Sequence, residues 1–164
     1  MEQAKHAGFN QSAMRYGTYL GIAWAIMYIA LFNGVTSLSL TTIAMGILLA
    51  SPFIAGSYAI RFRQTEYNNS ISYRQAWRFL FYMYICATLL SALTNYIYLN
   101  YIDKGAFLMQ IQSASIAAAG ETGTTIELFS GYTTGNLTWI FLSNNILCSL
   151  IMSLIIAFFV KRKK

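Results

Sequence analysis

The chain has 164 residues, of which 57% are hydrophobic and only 10% are charged. A soluble domain carries about 25% charged residues, so this composition excludes a globular protein whose whole surface faces water. The length suits one domain, and we treat residues 1–164 as a single membrane domain.

Four apolar stretches are each long enough to cross a bilayer as a helix, which takes about 20 residues. None of them contains Asp, Glu, Lys, Arg or His. Backbone groups in lipid must be paired within the segment, which favours helices. The predicted spans are Tyr16–Asn33, Thr41–Ile60, Phe79–Tyr101 and Leu137–Val160. The sequence therefore predicts an all-α integral membrane protein with four transmembrane helices in a bundle.

The basic residues predict the orientation of these spans. Ten of the 11 Lys and Arg lie in the N-terminal tail, the second connection and the C-terminal tail, which share one side of a four-span protein. Basic residues mark the cytoplasmic side. We expect a multi-pass protein of the bacterial inner membrane with both termini in the cytoplasm. This topology also explains the net charge of +6 without nucleic acid, and the basic face can attract anionic lipid headgroups.

Small residues and a proline are the main features of the first two spans. Gly17 and Gly21 have the spacing that lets helices approach closely, but we interpret them as ordinary glycines of a membrane helix. Pro52 lies near the middle of the second span and predicts a kink, because proline removes one backbone hydrogen bond. Ser51 beside it can help to satisfy the freed carbonyl.

The third span begins with a helix-capping signal. Ser72 followed by Gln75 is typical of a capping box, so the helix should start before the bilayer. Further along, Thr88, Ser91 and Asn95 fall on one helical face. We expect that face to contact other helices, because amides and hydroxyls avoid lipid.

The longest connection, residues 102–136, follows the third span. Its first half has the composition of a helix that Gly120 stops, with an apolar stripe formed by Phe107, Leu108, Ile111 and Ile116. We predict an extracytoplasmic helix that lies on the outer membrane surface, between the third and fourth spans.

Polar side chains inside the spans are the candidate contact or groove residues. They are Ser91, Asn95, Asn144 and Asn145. Such groups can line a solvated path or form hydrogen bonds between helices, and we favour the hydrogen-bonding role.

Two stretches resemble a family of four-span inner-membrane proteins that is common in Bacteroidetes and is catalogued as a domain of unknown function. AMRYGTYLGIAWAI is similar to that family's first span. ISYRQAWRFLFYMYICATLLSALTNYIYLNYIDKGAF is similar to its third span and exit. The chain departs from that pattern at Lys104 and Gly105, where a proline is expected. The resemblance implies four spans and an inner-membrane location, and it implies no activity.

Residues suited to chemistry are sparse. His6 is the one histidine, and Cys86 and Cys148 lie inside spans, where we expect them to pack as small side chains. We therefore predict no metal and no cofactor. Weak candidates for acid–base chemistry are three carboxylates on the predicted outer side: Asp103, Glu121 and Glu127.

The sequence favours a non-enzymatic accessory or scaffold subunit of a membrane complex. Its partners would be the lipid bilayer and either another membrane protein or further copies of itself. The alternative is a small lipid- or solute-handling protein that resembles a transporter. An enzyme that uses the outer carboxylates is a third hypothesis.

Overall fold

The computed structural model describes residues 2–34, 37–119 and 133–162, with side chains described for 9–34, 37–113 and 133–162. These residues form five α-helices and one π-helical turn, Tyr98–Ile102, which extends α3. The helices are α1 Glu2–Gly34, α2 Leu38–Glu66, α3 Tyr73–Ile97, α4 Ala106–Ala119 and α5 Thr134–Val160. Within the described ranges there is no β-strand, only an isolated bridge between Ile71 and Arg162.

Four of the helices are long and apolar enough to cross a membrane. They cover Phe9–Gly34, Leu38–Glu66, Tyr73–Ile102 and Thr134–Val160. Each extends beyond the span predicted from its apolar run, because the flanking polar residues also favour helix. The first helix continues through the polar N-terminal tail without a break.

The helix starts follow the predicted local chemistry. The capping box predicted at Ser72 and Gln75 is present. The Ser72 hydroxyl oxygen accepts from the Gln75 N–H at 3.4 Å, and Gln75 Oε1 accepts from the Ser72 N–H at 3.1 Å. At the start of α5, the Thr133 hydroxyl oxygen accepts from the Asn136 N–H at 3.2 Å. These side chains satisfy donors that a helix start leaves unpaired.

The close approach of α1 and α3 corrects our interpretation of the two glycines. A Cβ atom at Gly17 would lie 2.6 Å from the Met83 carbonyl oxygen and 2.7 Å from Cys86 Cβ. At Gly21 it would lie 3.1 Å from Ala87 Cα. The prediction of ordinary membrane glycines was wrong, because both positions let two backbones come together in a way that a side chain would prevent.

One end of the bundle joins three parts of the chain. The bridge pairs the Ile71 N–H with the Arg162 carbonyl at 2.9 Å, and Arg63 Nη1 donates to the Val160 carbonyl at 2.8 Å. Tyr67 lies in the same connection, where burial, followed by the nearby Glu66 charge, raises its pKa. The α2–α3 connection and the end of α5 are therefore tied together at one end.

The opposite end has its own aromatic core. The Phe32 ring stacks on Tyr98 with centroids 5.5 Å apart and meets Phe107 edge-on at 4.8 Å. Leu108 and Ile111 of α4 are half-buried against this cluster, whereas the side chain of Ile116 and residue Gly120 lie outside the described part. The described residues of the predicted apolar stripe thus pack against the protein's own core.

Candidate ligand-binding cleft

A cleft of about 570 Å³ lies between α2 and α5, with α1 and α3 behind it. It forms because α2 packs chiefly against α1 and touches α5 and α3 much less. Trp24 and Tyr28 of α1 and Tyr84 of α3 contribute to its lining, and Leu48 and Phe53 contribute from α2. The exposed fraction of Phe53 is 78%, so the cleft opens sideways onto the outer surface of the bundle.

The lining is mostly apolar, with a few uncharged polar groups. The polar members other than the aromatic residues are Ser51, Asn144, Asn145, Cys148 and Ser149. No residue in the described lining carries a charge. Since α5 spans Thr134–Val160, Asn145 and Ser149 lie near its middle, at the depth farthest from both ends of the bundle.

Two hydrogen bonds fix the polar groups of α1 against the neighbouring helices. The Tyr28 hydroxyl donates to Asn145 Oδ1 at 2.7 Å, and Trp24 Nε1 donates to Ser51 Oγ at 2.9 Å. These bonds anchor α1 to α5 and to α2 at the level of the cleft. Each also satisfies a donor that would be costly to bury alone.

Two further polar atoms of the lining are buried and have no hydrogen-bond partner. They are Asn145 Nδ2 and Ser149 Oγ, and the exposed fraction of Ser149 is 4%. A buried polar group without a partner costs about 1–3 kcal/mol. The two groups lie one helical turn apart on the same face of α5, and both residues belong to the lining of the cleft.

One family model matches nearly the whole chain, over residues 15–162. The family is described as Protein of unknown function (DUF4199). The chain belongs to this family. Membership confirms the resemblance seen in the sequence, and the matched range contains every residue that lines the cleft.

Comparison with curated proteins and with solved structures gives no match. The DUF4199 family is itself of unknown function. The site must therefore be interpreted from its own geometry.

The predicted polar residues fall in two places. Asn144 and Asn145 line the cleft. Ser91 and Asn95 are fully buried on α3, where the Ser91 hydroxyl donates to the Thr88 carbonyl at 3.0 Å. Neither of these two lines the cleft, so the structure does not bring Asn95 and Asn144 into one groove.

Pro52 borders the cleft on α2. Because it has no N–H, the carbonyl four residues earlier, that of Leu48, loses its usual donor. Ser51, which we expected to help that carbonyl, accepts instead from Trp24 Nε1. The proline thus lies where α2 forms one wall of the cleft.

Of the three carboxylates that we predicted to lie on the outer side, the structure describes one. Asp103 Oδ2 accepts from the Phe107 N–H at 2.8 Å and so caps the start of α4. Glu121 and Glu127 lie outside the described residues. In the part of the chain that the structure describes, no group of three or more His, Cys, Asp and Glu side chains could hold a metal ion.

Sequence reasoning missed Trp24, Tyr28 and Tyr84 as lining residues. Aromatic residues with polar tips usually lie at the ends of membrane spans, whereas Trp24 and Tyr28 lie well inside α1 and one turn apart. That central position was a signal of an internal polar site.

Proposed function

We propose that this protein is a non-enzymatic, multi-pass membrane protein that holds a lipid-phase molecule in the cleft between α2 and α5. This is the lipid-handling alternative of the sequence analysis. The observation that carries it is a cleft with apolar walls in which Asn145 Nδ2 and Ser149 Oγ are buried without partners. Binding sites of this kind combine an apolar lining with a few placed polar groups.

The position of the opening supports entry from the bilayer. The mouth is bordered by Leu49 and Phe53 of α2, whose exposed fractions are 70% and 78%. Exposed apolar side chains on a membrane helix face lipid tails, so an acyl or isoprenoid chain can pass between cleft and bilayer without crossing water.

The chemistry of the cleft supports binding rather than catalysis. Its described polar side chains are amides, hydroxyls, one indole and one thiol, and none is a carboxylate, an imidazole or an amine, the groups most often used in acid–base catalysis. Asp103 is engaged in capping α4, which supports a structural role for that carboxylate.

A plug variant tests the cleft directly. Cys148 is exposed and lines the cleft, whereas its neighbour Leu147 is 59% exposed and does not line it. Cys148→Phe should fill the cleft and remove most co-purified lipid, while Leu147→Phe should retain it. Native mass spectrometry of protein extracted gently from membranes measures the bound lipid. Equal lipid retention by the two variants would reject the cleft as the binding site.

The accessory-subunit hypothesis remains a second candidate, and Gly46 favours it. A Cβ atom there would meet nothing within 4 Å, so internal packing does not require this glycine, although glycine weakens a helix by about 1 kcal/mol. Close approach of a helix from a partner or a second copy would use that open position. A membrane pull-down compares wild type with Gly46→Leu, and loss of a stoichiometric partner in the variant would support this candidate.

The orientation and location are part of the same proposal. Both termini would be cytoplasmic, in a bacterial inner membrane. The start of α1, the α2–α3 connection and the end of α5 lie at one end of the bundle. In the sequence, ten of the 11 Lys and Arg belong to the N-terminal tail, the second connection with its edges, and the C-terminal tail. That clustering matches the excess of basic residues in cytoplasmic loops, and it can attract anionic lipids. At the opposite end, α4 would lie at the outer membrane surface.

Cysteine labelling tests the orientation. In a variant without Cys86 and Cys148, Ser70→Cys probes the basic end and Ser39→Cys probes the other end, near the start of α2. A membrane-impermeant maleimide added to intact cells from which any outer barrier has been removed should label Ser39→Cys and spare Ser70→Cys. The reverse pattern would invert the topology.

A further inference from the structure

We infer that the ligand of the cleft is an uncharged lipid with carbonyl oxygens at its polar end, specifically a lipoquinone. This inference rests on the proposed function and names its ligand. Three observations support it: the depth of the polar groups, their hydrogen-bonding character and the aromatic lining.

The depth of the site excludes a charged headgroup. Asn145 and Ser149 lie near the middle of α5, and no residue of the described lining is charged. An ion placed at this depth without a counter-charge is costly. Phospholipid headgroups carry charge and stay at the membrane surface, whereas the ring of a lipoquinone is neutral and can enter the apolar interior.

The two unpaired groups are suited to carbonyl acceptors. Asn145 Nδ2 can only donate. In the structure, Asn145 Oδ1 accepts from the Tyr28 hydroxyl at 2.7 Å, which leaves Asn145 Nδ2 as the group without a partner. The Ser149 hydroxyl has no partner either and can also donate. A quinone presents carbonyl oxygens and no donors, so its polar end complements two unsatisfied donors.

The aromatic lining is suited to a flat ring. The rings of Trp24 and Tyr84 are stacked with centroids 5.9 Å apart, and both line the cleft together with Phe141. Planar π-systems pack favourably against such surfaces. A cleft of about 570 Å³ is within the usual range for a small-molecule site. It can hold the ring and the start of the tail, while the rest of the tail extends into the bilayer.

Quenching of Trp24 fluorescence provides the test. The experiment uses a Trp77→Phe, Trp139→Phe variant, in which Trp24 is the remaining tryptophan. This variant is placed in nanodiscs of dioleoylphosphatidylcholine. Decylubiquinone is then titrated. Saturable quenching is expected, because a quinone ring in the cleft would contact Trp24.

Two variants and a control examine the hydrogen bonds. Ser149→Ala should weaken the apparent affinity for decylubiquinone about fivefold, the equivalent of one hydrogen bond. Asn145→Leu should weaken that affinity about tenfold or more. Ser143→Ala, on the same helix but outside the cleft, should leave the affinity unchanged. Because Ser149 Oγ has no partner in the protein, Ser149→Ala should keep its thermal stability, so weaker binding by this variant would not reflect unfolding.

Each outcome separates the ligand from the proposed function. Quenching that is equal in all variants would mean partition into the lipid and would overturn the quinone assignment. Preferential binding of dioctanoylglycerol or dioctanoylphosphatidylglycerol, blocked by Cys148→Phe, would also overturn it while leaving lipid binding in place. If Cys148→Phe lowers the binding of none of these lipids, both the quinone assignment and the proposed function fail.

Discussion

Gly17→Ala is expected to lower the free energy of unfolding by about 1–3 kcal/mol, the usual cost of forcing extra volume into a packed interface. The new Cβ would lie 2.6 Å from the Met83 carbonyl oxygen and 2.7 Å from Cys86 Cβ. The carbonyl belongs to a helix backbone and cannot rotate away. The substitution must therefore push α1 and α3 apart along the most extensive helix–helix interface in the described structure.

Gly46→Ala is the matched control for this prediction. It makes the same chemical change in a helix interior, but its Cβ meets nothing within 4 Å. Because alanine favours helix over glycine by about 1 kcal/mol, this variant should keep or raise stability. Unfolding titrations in mixed micelles of SDS and a mild detergent measure both variants. Equal stability of the two variants would show that the packing of α1 against α3 does not require the close contact at Gly17.

Phe62→Ala should have the second large effect, a loss of about 3 kcal/mol in the free energy of unfolding. Phe62 and Phe79 are fully buried, and their rings stack with centroids 3.9 Å apart. The Phe9 and Tyr67 rings each meet Phe62 at 5.5 Å. Since α2 makes few other contacts with α3, removal of this ring leaves a cavity and loosens α2 at the basic end.

Phe53→Ala is the control for this cavity. The residue type and helix are the same, but the exposed fraction of Phe53 is 78%, so its ring contacts little that its loss would leave unpacked. The free energy of unfolding of Phe53→Ala should differ from that of the wild type by less than about 1 kcal/mol. The same micelle titration compares Phe62→Ala with Phe53→Ala. An equally large loss for Phe53→Ala would argue that another protein surface packs against the exposed face of α2.

The helices were predictable because their signals are local. Apolar runs without a charge define the four long helices, and the pairing of Ser72 with Gln75 marks the start of α3. The family resemblance also follows from sequence motifs, and the family match over residues 15–162 agrees with it. All these features depend on residues close together in the chain.

The candidate site was only partly predictable. Asn144 and Asn145 stood out because amides are unusual inside a membrane span, and both line the cleft. Trp24 and Tyr84 did not stand out, because aromatic residues are common throughout this chain. Asn95 had the same chemistry as Asn144, yet it is buried within the bundle.

By itself, the sequence determined the number of long apolar helices, the segregation of charge between them and the local caps. Tertiary structure decided which faces of those helices meet. Lipid tails are as apolar as leucine, so the hydrophobic effect does not distinguish a helix face that packs against protein from one that faces the bilayer. The contact of Gly17 with Met83 and the cleft between α2 and α5 arise from shape and close packing, which a one-dimensional apolar pattern does not encode.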